Sequence, residues 1–389
     1  MWLNGIALLT AGGWLGLLAL PWRPWSTRER LEPDVSNGSL PDLNAVTVLI
    51  PARNEAVTIA RTLKCLARQG QGLRIVVIDD QSTDRTAELA RAVNAPGLAI
   101  LPGAPLPEGW SGKLWALQQG FGTVESPLVL LLDADIELLP GSLIALVRKL
   151  EAERLDVASV MAELPTESGW ERLLVPAFVY FFKLLYPFAL GNRRSSRLGV
   201  AAGGCMLART ERLRAMGGFA GFRQALIDDC ALAGEIKRRG GHVWVGLSHA
   251  VKSHRPYPTL DSFWHMVART AFTQLRYSPV LLAGTTMLML VCFWAPWIAI
   301  ICGKKSTRLA GIAGAVAMSA SYHPMIRFYR LPWWRTLTLS GASFLYLLMT
   351  WSSALRYWKG QRSEWKGRVY VAAASRKRHG TQGRAGSAG

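Results

Sequence analysis

The stretch LVLLLDAD, residues 128–135, decides how this chain folds. Its five leading apolar residues are typical of a strand that is buried on both faces of a sheet. Asp133 and Asp135 follow directly, and two carboxylates one residue apart at a strand end can face the same cleft. They offer the hard oxygen ligands that Mg2+ or Mn2+ prefers, and such a metal can also bind diphosphate oxygens. Taken alone, the same pattern is equally typical of a turn or a helix cap.

Two similar units precede this stretch. The runs VTVLI and LRIVVI, residues 46–50 and 73–78, predict two further buried strands. Apolar residues at helical spacing follow each strand, and the predicted helices cover residues 55–66, 83–93 and 140–153. The pattern predicts an α/β domain with a mostly parallel central sheet that is covered on both faces. Ligands of such sheets bind beyond the carboxyl ends of the strands.

The charge of the chain indicates a membrane partner. The 389 residues carry a formal net charge of +19, so nucleic acid has to be considered as a partner. The basic residues cluster beside apolar segments instead, which is typical of contact with anionic lipid head groups on the cytoplasmic side. These clusters contain Arg23, Arg28 and Arg30 after the first apolar segment, and Lys359, Arg362, Lys366, Arg368, Arg376, Lys377 and Arg378 after the last. We therefore expect a membrane and no nucleic acid.

Apolar segments at both ends of the chain predict membrane helices. Residues 278–302 contain no charged side chain and are long enough to cross roughly 30 Å of hydrocarbon. Residues 336–355 are a second candidate, and residues 309–326 qualify only marginally. Residues 3–20 are predicted to be a retained anchor. The alternative, a cleaved signal peptide, lacks the charged start and the small-residue cleavage site.

The segments divide the chain into six parts. In order, we expect an anchor (1–25), a linker (26–43), a catalytic domain (44–258), an amphipathic interfacial helix (259–277), a C-terminal transmembrane region (278–358) and a basic, disordered tail (359–389). The charge rule orients the domain towards the cytoplasm. If all three C-terminal segments cross, however, the basic tail lies outside. Either one segment is re-entrant or interfacial, or the tail breaks the rule.

Two amphipathic stretches favour contact with the membrane surface. Residues 170–190 are aromatic and apolar but interrupted by charges and prolines, which favours an interfacial segment. The alternative is a long, partly buried helix inside the domain. Residues 261–277 place apolar side chains on one side of a helix that leads into the first C-terminal membrane segment.

Further candidate ligand contacts follow the earlier strands. Asp80, in IDDQSTD at residues 78–84, stands where a carboxylate can accept from a nucleobase N–H or a ribose hydroxyl. Lys113, in the sequence WSGK, begins a predicted helix and is a candidate phosphate contact. A helix cap near Asp80 and an exposed lysine are the alternatives.

The order of these motifs resembles a known family. The succession VTVLIPARNE, IDDQSTD, SGKLWAL, LLDAD, AAGGCMLART and LIDDCALAGEIKRRG is similar to the family 2 glycosyltransferases of the GT-A fold. The resemblance covers residues 46–254, and its specificity lies in the order of the motifs. With HRPYPTL and FWHMVARTAFTQLRYSP, the chain further resembles the hopene-associated glycosyltransferases of bacteria.

The resemblance implies a role for each matching residue. It implies donor contacts at Pro51, Ala52, Asn54, Glu55, Asp80, Lys113 and Asp133, a metal site at Asp133 and Asp135, and acceptor-side residues Gly203 and Gly204. His254, near the end of the domain, is a candidate further metal ligand, and a structural histidine is the alternative. The family usually has a Glu-Asp pair at the catalytic base. Here the pair is Asp228-Asp229, so Asp229 is the expected base and Asp228 the alternative. Asp228 can also simply cap a helix.

The resemblance also implies the reaction and its location. We expect an inverting transfer from a nucleotide sugar, a UDP-sugar above all, to a hopanoid or related lipid at the bacterial inner membrane, with Mg2+ or Mn2+ as cofactor. Arg269 is a candidate phosphate contact, although neither VART nor QLRY keeps the Gln-x-x-Arg-Trp motif of processive relatives. The alternatives are a polyprenyl-phosphate glycosyltransferase and a non-catalytic nucleotide-sugar-binding membrane protein.

Overall fold

A computed structural model describes residues 2–33, 41–225 and 227–360, together with two short strands beyond them. The α-helices are α1 (Trp2–Ala19), α2 (Ile59–Leu66), α3 (Thr86–Ala92), α4 (Gly112–Phe121), α5 (Ser142–Ala152), α6 (Gly169–Leu185), α7 (Phe188–Gly191), α8 (Thr210–Ala215), α9 (Asp228–Arg238), α10 (Leu260–Ala268), α11 (Ala271–Gln274), α12 (Pro279–Cys302), α13 (Lys305–Phe328) and α14 (Leu339–Trp358). Short 3-10 helices cover Ala220–Phe222 and Trp333–Thr338.

The strands are β1 (Val46–Ala52), β2 (Arg74–Asp79), β3 (Leu98–Pro102), β4 (Leu128–Leu132), β5 (Ile136–Leu138), β6 (Val157–Glu163), β7 (Cys205–Arg209), β8 (Val243–Ser253), β9 (Glu364–Trp365) and β10 (Arg368–Val369). The first eight form one sheet in the order β3-β2-β1-β4-β7-β6-β8-β5. Strands β9 and β10 pair with each other. The rest of the predicted tail after residue 360 lies outside the described residues.

The first half of the sheet confirms the predicted βα alternation. Strands β3, β2, β1 and β4 are parallel to one another, and every residue of β1 and β4 is buried. Helices α2 and α5 pack on one face of the sheet, whereas α4 and α9 pack on the other. Coverage of both faces explains why these strands are continuous apolar runs rather than alternating ones.

The second half of the sheet is mixed, because β7 and β5 run antiparallel to the other six strands of the sheet. Strand β7 runs antiparallel to both β4 and β6, and β5 runs antiparallel to β8. Only β6 and β8 are parallel there. The antiparallel β7 has a direct consequence: its beginning lies beside the carboxyl end of β4, with Cys205 opposite Leu132.

Helices from both ends of the chain form one bundle beside the domain. Trp14 of α1 donates a hydrogen bond to the Cys292 carbonyl of α12 (2.8 Å), and Tyr180 of α6 is hydrogen-bonded to Ser321 of α13 (2.7 Å). Two helices in the described part of the chain, α1 and α12, are long and apolar enough to cross a membrane. The predicted interfacial segment 170–190 therefore packs between the sheet domain and the bundle, and its helix continues through Pro176.

The predicted linker is partly built into the domain. Leu31 donates a backbone hydrogen bond to the Leu247 carbonyl of β8 (3.0 Å), and Leu247 in turn donates to the Glu29 carbonyl (2.8 Å). Residues 34–40 of the predicted linker lie outside the described residues. The Glu29 carboxylate also pairs with Lys183 of α6 at 2.8 Å, where the lysine side chain is only 1% exposed. This ion pair joins the segment after α1 to the helix between the domain and the bundle.

We expect the Glu29→Gln variant to unfold about 10 °C below the wild type, because it leaves the Lys183 ammonium buried without its counter-charge. A Glu29→Gln/Lys183→Met double variant is expected to recover part of this loss, since it removes the buried charge as well. Thermal unfolding of the purified chain in detergent measures both. Glu88→Gln, which breaks the fully exposed pair of Glu88 with Arg85, is the control. Equal shifts in Glu29→Gln and the control would contradict the prediction.

Candidate active site

The candidate site lies at the carboxyl edge of the parallel strands. Strands β2, β1 and β4 are adjacent and parallel, so the residues that follow them meet at one edge of the sheet. Asp80 follows β2, Asn54 and Glu55 follow β1, and Asp133 and Asp135 follow β4. The structure thus brings together the acidic residues that the sequence predicts to act together.

The antiparallel strand β7 adds the second wall of the cleft. Its approach carries Gly203 and Gly204, and the Asp133 N–H donates to the Gly204 carbonyl (3.0 Å). A side chain at Gly203 would meet the Asp229 carboxylate at 3.3 Å, so the absence of a side chain leaves room for it. Asp228 and Asp229 occupy the first turn of α9. The predicted acceptor-side glycines and the predicted base are therefore neighbours.

Lys113 connects the two walls. Its Nζ lies 2.8 Å from Asp133 Oδ1 and 3.2 Å from Asp228 Oδ2. The lysine side chain is 18% exposed and stands in the first turn of α4. Burial lowers its pKa, but the charges of Asp133 and Asp228 outweigh that effect and raise the pKa above its ordinary value. The lysine is thus a permanent cation of the cleft, and Asp228 forms an ion pair with it.

Arg255 is a second cation, to which the sequence analysis assigned no role. Its Nε lies 2.7 Å from Asp135 Oδ2, and its Nη2 lies 2.7 Å from Glu55 Oε1. Strand β8 places it there, because Ser253 pairs with Ile136 at the start of β5, directly after Asp135. The motif HRPYPTL contains this arginine, but its partners are set by a pairing of distant strands.

The cleft holds a surplus of negative charge. Burial and the neighbouring Asp228 raise the pKa of Asp229 to about 7, against hydrogen bonds from the backbone of Cys230 and Gly203. Burial also raises the pKa of Asp133; Lys113 opposes this, and the charges of Asp135 and Asp228 add to it. Carboxylates with raised pKa values at a ligand cleft are typical of functional sites.

The predicted nucleoside side is built on the loop after β1. Asn54 has a left-handed backbone (φ 53°), its N–H donates to Ser82 Oγ (3.1 Å), and its side-chain oxygen accepts from the Thr83 N–H (2.8 Å). Asp80 is fully buried, and its N–H donates to the carbonyl of Ala52 (2.8 Å). Pro51 and Ala52 end β1 and are themselves buried. The loops after β1 and β2 therefore form one rigid wall.

His254 lies beside the Asp133–Asp135 pair, but its side chain is hydrogen-bonded to another residue. Its backbone N–H donates to the Asp135 carbonyl (2.8 Å), whereas its Nε2 is hydrogen-bonded to the Glu137 carboxylate. Among the described residues, no group of three or more His, Cys, Asp or Glu side chains is arranged to hold a metal ion. A metal at Asp133 and Asp135 therefore needs oxygens from a bound ligand, which is how Mg2+ is commonly held beside phosphates.

The acceptor side extends to the helices next to the bundle. Tyr186, just after α6, donates to Gln274 Oε1 of α11 (2.7 Å). Burial raises the pKa of Tyr186, and the Asp229 carboxylate is close enough to add to this. Burial raises the pKa of Tyr257 as well; the charges of Arg255 and Arg269 oppose this rise, and those of Asp135 and Asp133 add to it. Sequence reasoning missed Tyr186, because its partner is set by the packing of α6 on α11.

The family model described as "Glycosyl transferase family 2" matches residues 47–217, which span β1 to the end of α8. This part of the chain is a family 2 glycosyltransferase domain. The match contains Lys113 and the Asp133–Asp135 pair, whereas α9 and Arg255 lie beyond it. The expected family is thereby confirmed for the domain, and the hopene-associated subtype stays a prediction.

Curated relatives are similar to parts of the chain. It is 36% identical over 94 residues to the 4,4'-diaponeurosporenoate glycosyltransferase of Staphylococcus haemolyticus, covering 24% of this chain and 25% of the relative. It is 29% identical over 178 residues to the undecaprenyl-phosphate 4-deoxy-4-formamido-L-arabinose transferase of Pseudomonas paraeruginosa, covering 44% of this chain and 48% of the relative. The match thus spans less than half the length of these two relatives.

A solved structure shares the fold over most of the chain. The mannosyltransferase PcManGT from Pyrobaculum calidifontis, in complex with GDP-Man and Mn2+, matches 92% of this chain and 100% of its own chain. The TM-score is 0.50 and the sequence identity 19%. At this identity the similarity concerns the fold, which extends beyond the glycosyltransferase domain into the C-terminal helices.

We expect Asp229→Asn to raise the melting temperature of the metal-free domain by several degrees at about pH 8, because it removes a carboxylate that the cleft disfavours. The pKa of the Asp229 carboxyl is about 7 in the folded chain, against an ordinary value of 3.8. Between pH 3.8 and about pH 7 this carboxyl therefore lowers the stability of the fold progressively as the pH rises. The gain at about pH 5 is therefore less than half as large.

Asp84→Asn is the control for this prediction. Burial raises the pKa of Asp84, but hydrogen bonds from Thr86 and Ala56 outweigh burial and lower the pKa below its ordinary value. Its ionised form stabilises the fold above that value, and the stabilisation is lost only below it. Asp84→Asn should thus lower the melting temperature equally at both pH values. A pH-independent effect of Asp229→Asn would contradict the assignment of a strained carboxyl.

Proposed function

We propose that the chain is an inverting, membrane-associated glycosyltransferase that moves a sugar from a nucleotide sugar, a UDP-sugar above all, to a lipid. The observation that carries this proposal is the position of Asp229. It lies across the cleft from the Asp133–Asp135 pair, at the side that faces α11 and the helical bundle. A donor and a lipid acceptor can therefore approach the same point from opposite walls.

The donor side is proposed to bind the nucleotide through the wall after β1 and β2. Asn54, Glu55 and Asp80 are placed for the nucleoside, beside Pro51 and Ala52. Lys113 and Arg255 supply positive charge towards the diphosphate, and charge-assisted contacts to phosphate oxygens are strong. Arg269, near Tyr257, is the third cation of this group.

A divalent metal fits the carboxylates of the cleft. Like charges around Asp133 raise its pKa, and a cation such as Mg2+ or Mn2+ would neutralise them. We propose that Asp133 and Asp135 hold the ion together with oxygens of the bound diphosphate. The side chain of His254 is hydrogen-bonded to Glu137 instead and is not part of this proposed site. When bound, the metal supplies positive charge for the leaving diphosphate.

Asp229 is proposed to act as the general base, with Asp228 held by Lys113. The ionised carboxylate takes the proton from the acceptor hydroxyl as its oxygen attacks the anomeric carbon on the face opposite the nucleotide. A pKa of about 7 suits this task, because about half of the group is ionised at pH 7 and the carboxylate still accepts a proton readily. Tyr186 and Gln274 bound the pocket in which the hydroxyl lies.

The acceptor is proposed to be a hopanoid or related polyprenoid with a free hydroxyl. The alternative acceptor is a polyprenyl phosphate. One observation favours it: the name of one relative contains undecaprenyl phosphate. The two acceptors differ chemically, because a phosphate oxygen is already ionised and needs little help from a base. Asp229 therefore distinguishes them.

The bundle is proposed to span the inner membrane of a bacterium, with the domain in the cytoplasm. Most of the exposed large apolar side chains among the described residues lie on α1, α12, α13 and α14. Thr307 at the start of α13 contacts Asn4 of α1 (3.1 Å), while Phe328 at its end stacks on His249 of the domain (4.2 Å between ring centroids). Helices α1, α12 and α13 thus run between the domain and the opposite end of the bundle, which contains Asn4 and Thr307 and is called the distal end.

Helix α14 returns to the domain side without a further crossing. Ser340 at its start donates to the Phe293 carbonyl inside the bundle (2.7 Å), and Trp358 at its end contacts Phe272 of α11. Because α13 also ends beside the domain, the chain enters the bundle and comes back. The segment after α13 is therefore re-entrant in this proposal, and the basic tail follows on the cytoplasmic side, in agreement with the charge rule.

We expect membranes that contain the chain to transfer sugar from a nucleotide sugar into extracted lipid only with Mg2+ or Mn2+, and Asp135→Ala to abolish transfer. Mass spectrometry of the lipids after incubation with a panel of donors measures this. Asp229→Asn should lower transfer to a hydroxyl acceptor by about 10²–10⁴-fold and spare a polyprenyl phosphate. With a hydroxyl acceptor, kcat/KM should rise with pH through about 7.

Glu88→Gln, in an exposed pair remote from the cleft, is the control for intact activity. Loss of transfer to both acceptors in Asp229→Asn would contradict the prediction that only a hydroxyl acceptor needs Asp229 as a base. Absence of transfer with every donor and either metal would instead favour a nucleotide-sugar-binding membrane protein without catalysis.

We expect a membrane-impermeant maleimide to label Cys302 in intact cells, because this exposed thiol ends α12 on the distal side. In a Cys302→Ser background, Lys359→Cys should react only after permeabilisation, since it follows α14 on the domain side. Labelling is read by the mass shift of the purified chain. Reaction of Lys359→Cys in intact cells would mean that α14 crosses the membrane.

A further inference from the structure

A groove with an apolar floor and a basic mouth lies between α10 and the second half of α14. It encloses about 480 Å³, and its lining includes Trp264, Leu348, Trp351, Leu355, Arg356 and Lys359. The apolar lining side chains of α14 are substantially exposed, with Leu355 48% and Trp351 36% accessible. This arrangement leaves apolar surface open beside two cations.

The charge of the groove has one sign. Among the described residues, no carboxylate lines it, and both ionisable lining residues are basic. The acid that faces it from α10, Asp261, is 84% exposed in its side chain and lies 3.4 Å from His265 Nε2. The other ring nitrogen of His265 lies 3.1 Å from Arg356 Nη1, so the histidine separates this acid from the arginine. The mouth is therefore suited to an anion.

In the proposed membrane placement, the groove lies at the level of the lipid head groups. Helix α14 ends here beside the domain, where Tyr357 stacks on Tyr277 (4.4 Å between ring centroids) just before α12 begins. Aromatic side chains of this kind are enriched where the apolar membrane core meets water. Long basic side chains at a helix end reach the same level.

We propose that this groove binds one anionic glycerophospholipid, with its phosphate between Arg356 and Lys359 and an acyl chain against Trp264, Trp351 and Leu355. The proposal rests on the membrane placement of the bundle but not on sugar transfer. Such a lipid would fasten α14 to α10, the helix that directly follows Arg255 and Tyr257. It would thereby anchor the cleft to the cytoplasmic leaflet at a defined site.

The test compares lipid binding in nanodiscs by native mass spectrometry and thermal unfolding. The wild type in phosphatidylcholine containing phosphatidylglycerol should retain one phosphatidylglycerol and melt several degrees higher than in phosphatidylcholine alone. Arg356→Gln/Lys359→Gln should weaken that binding by about 30-fold, from about 1 kcal/mol for each basic residue. Inorganic phosphate, added to the chain in detergent, should not reproduce the thermal shift, because it lacks the acyl chain.

Lys304→Gln/Lys305→Gln is the matched control, since it removes two exposed charges at the distal end of α12. It should keep both the bound lipid and the thermal shift. Equal loss in the control, or an unchanged lipid count in Arg356→Gln/Lys359→Gln, would overturn the proposal. A lower melting temperature of that variant in every lipid would show that the two cations serve the end of α14 only. Asp135→Ala should still bind the lipid, which separates this result from a failure of the proposed catalysis.

Discussion

The double ion pair of Lys113 is the interaction on which the site depends. Four carboxylates, Asp133, Asp135, Asp228 and Asp229, converge on a partly buried cleft, where their mutual repulsion is unfavourable unless a cation offsets it. Lys113 lies between the wall that follows β4 and the wall that begins α9, and one ammonium group neutralises charge on both. The distance between the donor-side pair and the base is fixed by this contact. Arg255 performs the corresponding task for Asp135 and Glu55.

The sequence is sufficient for the part of the fold whose strands are buried and parallel. Strands β1, β2 and β4 are apolar runs because helices cover both faces, and the acidic residues after them can be recognised without a structure. The second half is harder to predict, because β7 is antiparallel and β5 has only three residues. Arg255 escaped assignment for the same reason: only the pairing of β8 with β5 brings it to Asp135.

The helical bundle shows the same limit in another form. Hydropathy identifies α1 and α12 as long and apolar enough to cross a membrane, and their large apolar side chains remain exposed. It is a poor guide to α13, because close packing replaces large apolar residues by small ones: a side chain at Gly311 would meet the Pro296 carbonyl at 2.7 Å. It also cannot distinguish a crossing from a return, since both need about 20 apolar residues. If the bundle spans a membrane as proposed, the contacts of Ser340 and Trp358 favour a return of α14 to the domain side over a further crossing.

The domain and the bundle are joined by contacts that also define the acceptor side. The Glu29–Lys183 pair fixes α6 to the segment after α1, and the buried Glu171 near the start of α6 accepts the Tyr257 N–H (2.7 Å) from the loop that carries Arg255. At its other end, α6 leads to Tyr186, whose hydroxyl reaches Gln274 and whose ring lies within the field of Asp229. One helix thus touches the segment after α1, the loop that carries Arg255, and α11. In the proposed function, the lipid acceptor approaches Asp229 past Tyr186 and α11, at the end of the bundle next to the domain, and therefore reaches the site without leaving the membrane.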